Sequence, residues 1–130
     1  MATELGPIGQ IHLSVTDISL AFPFYRDVLR LTLLFEVPSQ KMAFFECGGT
    51  RLYVGEAGPG PDVSHPLLYF RVDDIEEAHR ELRGRGAPFE GPPRLVLEDD
   101  AAQLWLAFFR DPDGTLLALM EERAVLIAEK

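Results

Sequence analysis

The chain has 130 residues, of which 47% are hydrophobic and 25% charged, with 21 acidic against 12 basic side chains and a formal net charge of −9. This is the make-up of a soluble globular protein large enough for one domain with its own core. The acidic surplus argues against nucleic acid and anionic membrane as partners, because both are bound through basic patches, and no apolar run reaches the length of a membrane span.

The first segment, MATELGPIGQ, carries neither a basic region nor a long apolar stretch, so no secretory signal is expected. Residues 10–15 read as a strand, with Ile11, Leu13 and Val15 on one face and Gln10, His12 and Ser14 on the other. Asp17 stands where a helix N-cap belongs, and Phe22, Tyr25 and Leu29 give the helix its apolar side. Pro23 fits only if that helix starts late, near Leu20, so that the proline falls in its first turn. Strands are expected at about 31–37, 42–47 and 51–56; in the last, Leu52 and Val54 oppose Arg51 and Tyr53. Cys47 reads as a small buried residue, since no basic neighbour lowers its pKa. As the lone cysteine it excludes an internal disulfide and suits a cytoplasmic location. The Gly/Pro-rich stretch 57–66 is a connector.

The second half opens with a strand at 67–72, where Leu68, Phe70 and Val72 oppose Leu67, Tyr69 and Arg71. Asp74 is the next N-cap. Ile75, Ala78, His79 and Leu82 keep helical spacing until Gly84 and Gly86 stop it. Strands follow at about 94–97, 104–109 and 115–121, the last two joined by the turn "RDPDG", where Pro112 and Gly114 occupy turn-forming places. In the final strand Leu117 and Leu119 oppose Leu116, Ala118 and Met120.

These elements are one unit said twice. "MAFFECGGTRLYV" (42–54) returns as "LAFFRDPDGTLLAL" (106–119), and "IHLSVTDISLAF" (11–22) as "LLYFRVDDIEEAH" (67–79). The spacing between the copies grows from 57 at Asp17/Asp74 to 65 at Gly49/Gly114. An insertion is therefore expected in the second half, around 91–103. The expected fold class is α+β. Two βαβββ modules, at about 8–56 and 67–122, form a single domain over 1–130, with a curled mixed sheet around a cleft. Four strands have a purely apolar face for the helices. Their other face mixes Gln10, His12, Tyr53, Tyr69 and Arg71 with Leu67, Ala118 and Met120, which is the lining a ligand cleft needs.

The phrases "IHLSVTDISLAFPFYRDVL", "VDDIEEAHRELRGRG" and "FFRDPDGTLLALME" resemble the vicinal oxygen chelate superfamily: glyoxalase I, bleomycin-resistance proteins, extradiol dioxygenases and fosfomycin-resistance enzymes. The resemblance covers about 8–122 and departs at Arg30, where the family's phrase usually ends in glycine. It implies a homodimer. In metal-dependent members one ligand comes from the first and one from the last strand of each module. Those places fall here on Gln10, Leu67, Tyr53 and Ala118, of which only Gln10 is a usual donor. The resemblance therefore implies a protein of the bleomycin-resistance kind, with no metal, no cofactor and a small organic ligand. The alternative is a lyase, isomerase or dioxygenase with a rearranged metal site on Gln10 and His12, joined by His65 and a carboxylate such as Glu56, Glu121 or Glu122.

Other residues leave two readings each. His12 is a general base or a polar wall residue. Arg51 and Arg71 hold an anionic ligand or pair with carboxylates. Trp105 stacks a ligand or packs in the core. His79 reads as a boundary residue on the second helix, and "LEDDAAQ" (97–103) as a solvated acidic loop.

Overall fold

The computed structural model describes residues 7–57 and 66–124. Most of the expected connector, with His65, lies outside the described residues. The chain divides between Pro66 and Leu67 into two compact units.

Unit one runs β1 (Gln10–Val15), α1 (Ile18–Pro23), a π-helical turn (Phe24–Val28), β2 (Thr32–Val37), a 3₁₀ turn (Pro38–Gln40), β3 (Met42–Cys47) and β4 (Thr50–Glu56). Its sheet has the order β1-β4-β3-β2, with β1 parallel to β4 and the other pairs antiparallel. Unit two repeats the plan with β5 (Leu68–Arg71), α2 (Ile75–Gly84), β6 (Arg94–Glu98), β7 (Ala102–Arg110) and β8 (Leu116–Ala124), in the order β5-β8-β7-β6. The βαβββ repeat read from the sequence is thus the plan of both units. Each four-stranded sheet is open.

The alternation predicted for the strands sets each core. In unit one, Leu13, Val15, Ala43, Phe45, Leu52 and Val54 are buried with Ala21, Phe24 and Tyr25. In unit two, Ala107, Phe109, Leu117 and Leu119 are buried with Ile75 and Leu82. Burying a side chain of this size stabilises by about 1.5–3 kcal/mol, so these rows supply most of the drive to form each sheet–helix layer.

Both helices start by one device used twice. Asp17 Oδ1 accepts from the Ser19 N–H at 2.9 Å, and Asp74 Oδ1 from the Glu77 N–H at 3.1 Å. A glutamate of the last strand then accepts the N–H of the first helical residue: Glu56, the end of β4, from Ile18 at 3.1 Å and Glu121, within β8, from Ile75 at 2.8 Å. Free N–H groups at a helix start need such partners.

Two expectations are corrected. The first helix begins at Ile18, not near Leu20, and Pro23 is its last residue rather than part of its first turn. Proline has no N–H to give to the carbonyl four residues back. The hydrogen-bond ladder widens directly after it, and the Leu29 N–H reaches Phe24 O at 3.0 Å, five residues back. The extra length of unit two does not lie only around 91–103. The helical runs 18–28 and 75–84 are of similar length, and much of the insertion falls in the segment 85–93 between α2 and β6, where unit one has only 29–31.

The stop of α2 is as expected, with Gly86 at φ 104°. So is the "RDPDG" turn, where Asp111 Oδ1 accepts from Asp113 N at 2.8 Å and Thr115 N at 2.9 Å, and Gly114 takes φ 85°. Among the described residues no helix is long and apolar enough to cross a membrane.

Candidate functional site

The face of unit one's sheet opposite its helix carries a row of four rings, one per strand. Strand register aligns His12 with Tyr53, Tyr53 with Phe44, and Phe44 with Phe35. The rings stack in that order. His12 and Tyr53 lie 4.0 Å apart with planes 3° from parallel, Tyr53 and Phe44 4.7 Å apart at 19°, and Phe44 and Phe35 4.4 Å apart at 23°. These spacings are close to the separation of neighbouring strands, about 4.7–4.9 Å. The rings therefore stand on edge above the sheet and cover one another's faces. Stacked pairs of this kind each add about 0.5–1.5 kcal/mol beyond area burial.

Two local features make the ladder possible. A side-chain carbon at Gly55 would come within 2.8 Å of the Tyr53 ring, so only glycine leaves Tyr53 where it lies. A register shift between Leu33 and Phe35 turns Phe35 to the same face as Phe44. Arg51 lies over the far end, its guanidinium 5.6 Å from the Phe44 centroid and 5.9 Å from that of Phe35.

Gln10 is exposed at the start of β1, next to Arg51 in register. Burial lowers the pKa of His12, because a half-dry imidazole holds a proton poorly. Among the described residues no carboxylate is bonded to His12 to orient it as a general base. Cys47 has its thiol pKa raised, first by burial and then by Glu46, as expected for a non-reactive cysteine.

On the matching face of unit two, Tyr69 is aligned with Ala118, and Ala118 with Phe108. Tyr69 and Leu67 are 47% and 42% exposed, whereas Ala118 is fully covered and Met120 half-buried. A ligand on this face would thus meet Tyr69 and Leu67 rather than Ala118. Arg71 Nη1 donates to Glu122 Oε1 at 2.7 Å, which realises the carboxylate-pairing reading of that arginine.

Trp105 sits on the helix-side face, aligned with the buried Glu121. Its indole N–H donates to Gln103 Oε1 at 3.0 Å, and the Arg123 guanidinium lies 4.6 Å from its ring. This resolves it as a packing residue. The His79 ring packs edge-on against Phe89 with centroids 4.4 Å apart, and burial lowers its pKa.

The donors do not fit a divalent ion. At the four places that ligands would occupy, unit one offers an amide and a phenol enclosed in the ladder, and unit two offers only hydrocarbon at Leu67 and Ala118. Of the rearranged site, His12 is stacked on Tyr53 and His65 lies outside the described residues. Glu56 and Glu121 are held at the helix starts, and Glu122 by Arg71. Among the described residues, Asp74, Glu76 and Glu121 form the one group of three acidic donors close together. That group caps α2 and holds Arg123.

The ladder was not legible as such. Alternation showed which residues share a face, but only the register and the shift in β2 bring Phe35, Phe44, Tyr53 and His12 into one row.

Residues 7–119 match the family model for the Glyoxalase/Bleomycin resistance protein/Dioxygenase superfamily. The chain is 30% identical over 123 residues to the uncharacterized protein YraH of Bacillus subtilis, covering 85% of this chain and 94% of that one. It is 30% identical over 114 residues to the metallothiol transferase FosB of Staphylococcus saprophyticus, covering 82% and 71%. The crystal structure of lactoylglutathione lyase from Agrobacterium tumefaciens superposes with a TM-score of 0.73 at 23% identity, over 91% of this chain and 95% of that one. A likeness at that identity speaks to the fold.

Proposed function

The chain belongs to the glyoxalase/bleomycin resistance protein/dioxygenase superfamily, and from that membership we propose that it binds a small organic ligand without a metal ion. The observation that carries this reading is the aromatic ladder. Tyr53, at one of the places where a metal-dependent member would present a ligand, is stacked between His12 and Phe44. The face so formed in unit one is apolar and aromatic with Gln10 and Arg51 as polar groups at its margins, and the matching face of unit two carries Tyr69 and Arg71. In this reading the chain works as one domain whose ligand-facing residues are Gln10, His12 and Tyr53 on unit one and Leu67, Tyr69, Arg71 and Met120 on unit two, Ala118 being covered. The protein is a cytoplasmic homodimer. The lone cysteine supports the location, and the exposed apolar side chains Leu33, Leu34, Val96 and Leu97 on the edge strands β2 and β6 support the assembly.

The alternative, a metal-dependent lyase, isomerase or dioxygenase, draws on the likeness to a metallothiol transferase and meets the poor donor set described above. Elemental mass spectrometry of the purified protein, after incubation with zinc, nickel, manganese and iron(II), separates the two. The expected result is no stoichiometric metal, followed by ligand-induced melting shifts in a small-molecule screen and sedimentation as a dimer. Near-stoichiometric metal that drops in Gln10→Ala or His12→Ala would overturn the binder reading.

A further inference from the structure

A row of stacked rings has two ends, and only the end rings offer a free face. Tyr53 and Phe44 are each covered on both sides by their neighbours. Phe35 ends the row on β2, the edge strand of its sheet, and is 45% exposed. A phenylalanine this open, already held in orientation by a stacked partner, is a prepared platform for one more flat ring, because the entropy of fixing Phe35 has been met in folding.

The charge at this end is equally specific. Among the described residues Arg26, Arg71, Arg80, Arg85, Arg110 and Arg123 each hold a carboxylate, whereas Arg30, Arg51, Arg83 and Arg94 have no ion pair, and of these four Arg51 is the one placed over aromatic rings. Arg51 is exposed, lies over Phe35 and Phe44, and has no ion pair among the described residues. Its cross-strand neighbour Glu46 is turned to the Gly49 N–H instead. In a chain of net charge −9, a guanidinium left without a carboxylate beside an open ring marks a place for an external anion.

We propose that the Phe35 end of the ladder binds a planar aromatic carboxylate, its ring stacked on Phe35 and its acid group paired with Arg51. The proposal rests on the reading of this face as a ligand surface and adds the chemical class. An aliphatic acid lacks the flat face to stack. An aromatic cation meets the Arg51 charge.

Calorimetric titration with 2-naphthoate, 2-naphthylmethylammonium and cyclohexanecarboxylate tests it. The expected result is saturable binding of 2-naphthoate, much weaker or absent for the other two. Phe35→Ala and Arg51→Gln should each weaken it by about tenfold or more, and Phe35→Tyr, which keeps the ring, by no more than about twofold. Phe35 lies outside the core, so these variants fold. The proposal is overturned if 2-naphthoate does not saturate the protein, or if Phe35→Ala and Arg51→Gln bind it as the wild type does. A screen for other ligands separates this failure from that of the broader reading. Ligands whose binding is lost in Tyr69→Ala but kept in Phe35→Ala would leave the small-molecule function standing without this site. A silent screen together with silent 2-naphthoate would sink both.

Discussion

The phenol ring of Tyr53 covers one face of the His12 imidazole at 4.0 Å, and burial lowers the imidazole pKa from its ordinary 6.5. Tyr53→Ala re-wets that face, so the His12 pKa should rise toward the ordinary value in an NMR titration; no change would show that the ladder does not dry the ring. Gly55→Ala, which pushes the same ring aside, should move it in the same direction. The sign on stability follows. A folded-state value below the unfolded one means the unfolded chain takes up the proton first as pH falls. His12 therefore works against folding below its ordinary pKa, and Tyr53→Ala relieves that part of the acid sensitivity. The sequence showed His12 and Tyr53 on the ligand face by alternation alone. It could not show them in contact, because pairing between β1 and β4 joins residues far apart in the chain.

At the scale of elements, the start of α2 gathers several side-chain bonds. Asp74 caps it, Glu121 accepts the Ile75 N–H, and Arg123 joins Glu121 to Glu76. Asp74→Ala should cost about 1 kcal/mol as a lost cap, and Glu121→Ala about 1–3 kcal/mol as a lost partner for a buried N–H. Because both serve one terminus, the double variant should depart from additivity by about 0.5 kcal/mol or more in urea unfolding; strict additivity would mean that the two carboxylates act independently. The Arg123 hydrogen bond is the main cause that holds the Glu121 carboxyl below its ordinary 4.5. Its stabilising part is present above that value and is lost as pH falls through the depressed folded-state value. The two Asp N-caps were legible in the sequence. The glutamates were visible only as strand ends, since nothing local ties Glu121 to a helix that starts 46 residues earlier. Pro23 misled for a related reason: a widened turn satisfies the same chemistry as a late start, and both fit the sequence.

For the whole molecule, the repeat made the architecture readable. Two copies of one phrase fixed the number of strands, their order and the apolar rows, and both units follow that plan. What the repeat hid is divergence. The Phe44–Tyr53 stack of unit one answers to Phe108 beside Ala118 in unit two, so only one copy carries the full ladder. Charge is a property at this scale too. With 21 acidic against 12 basic side chains, the folded chain repels itself. Its ion pairs are mostly at the surface, where each contributes little. Raising the salt from about 10 mM to about 150 mM shortens the Debye length from about 30 to about 8 Å. The melting temperature should then rise. A fall would mean that the arginine pairs outweigh the net repulsion.

The glutamate clasp at each helix start also bears on the order of events during synthesis. Ile18 waits for a carboxylate made 38 residues later, and Ile75 for one made 46 residues later. The parallel pairing of β1 with β4, and of β5 with β8, spans each unit in the same way. Neither helix can be locked in place while its unit is still emerging from the ribosome. Each half should therefore complete its fold only when its last strand arrives.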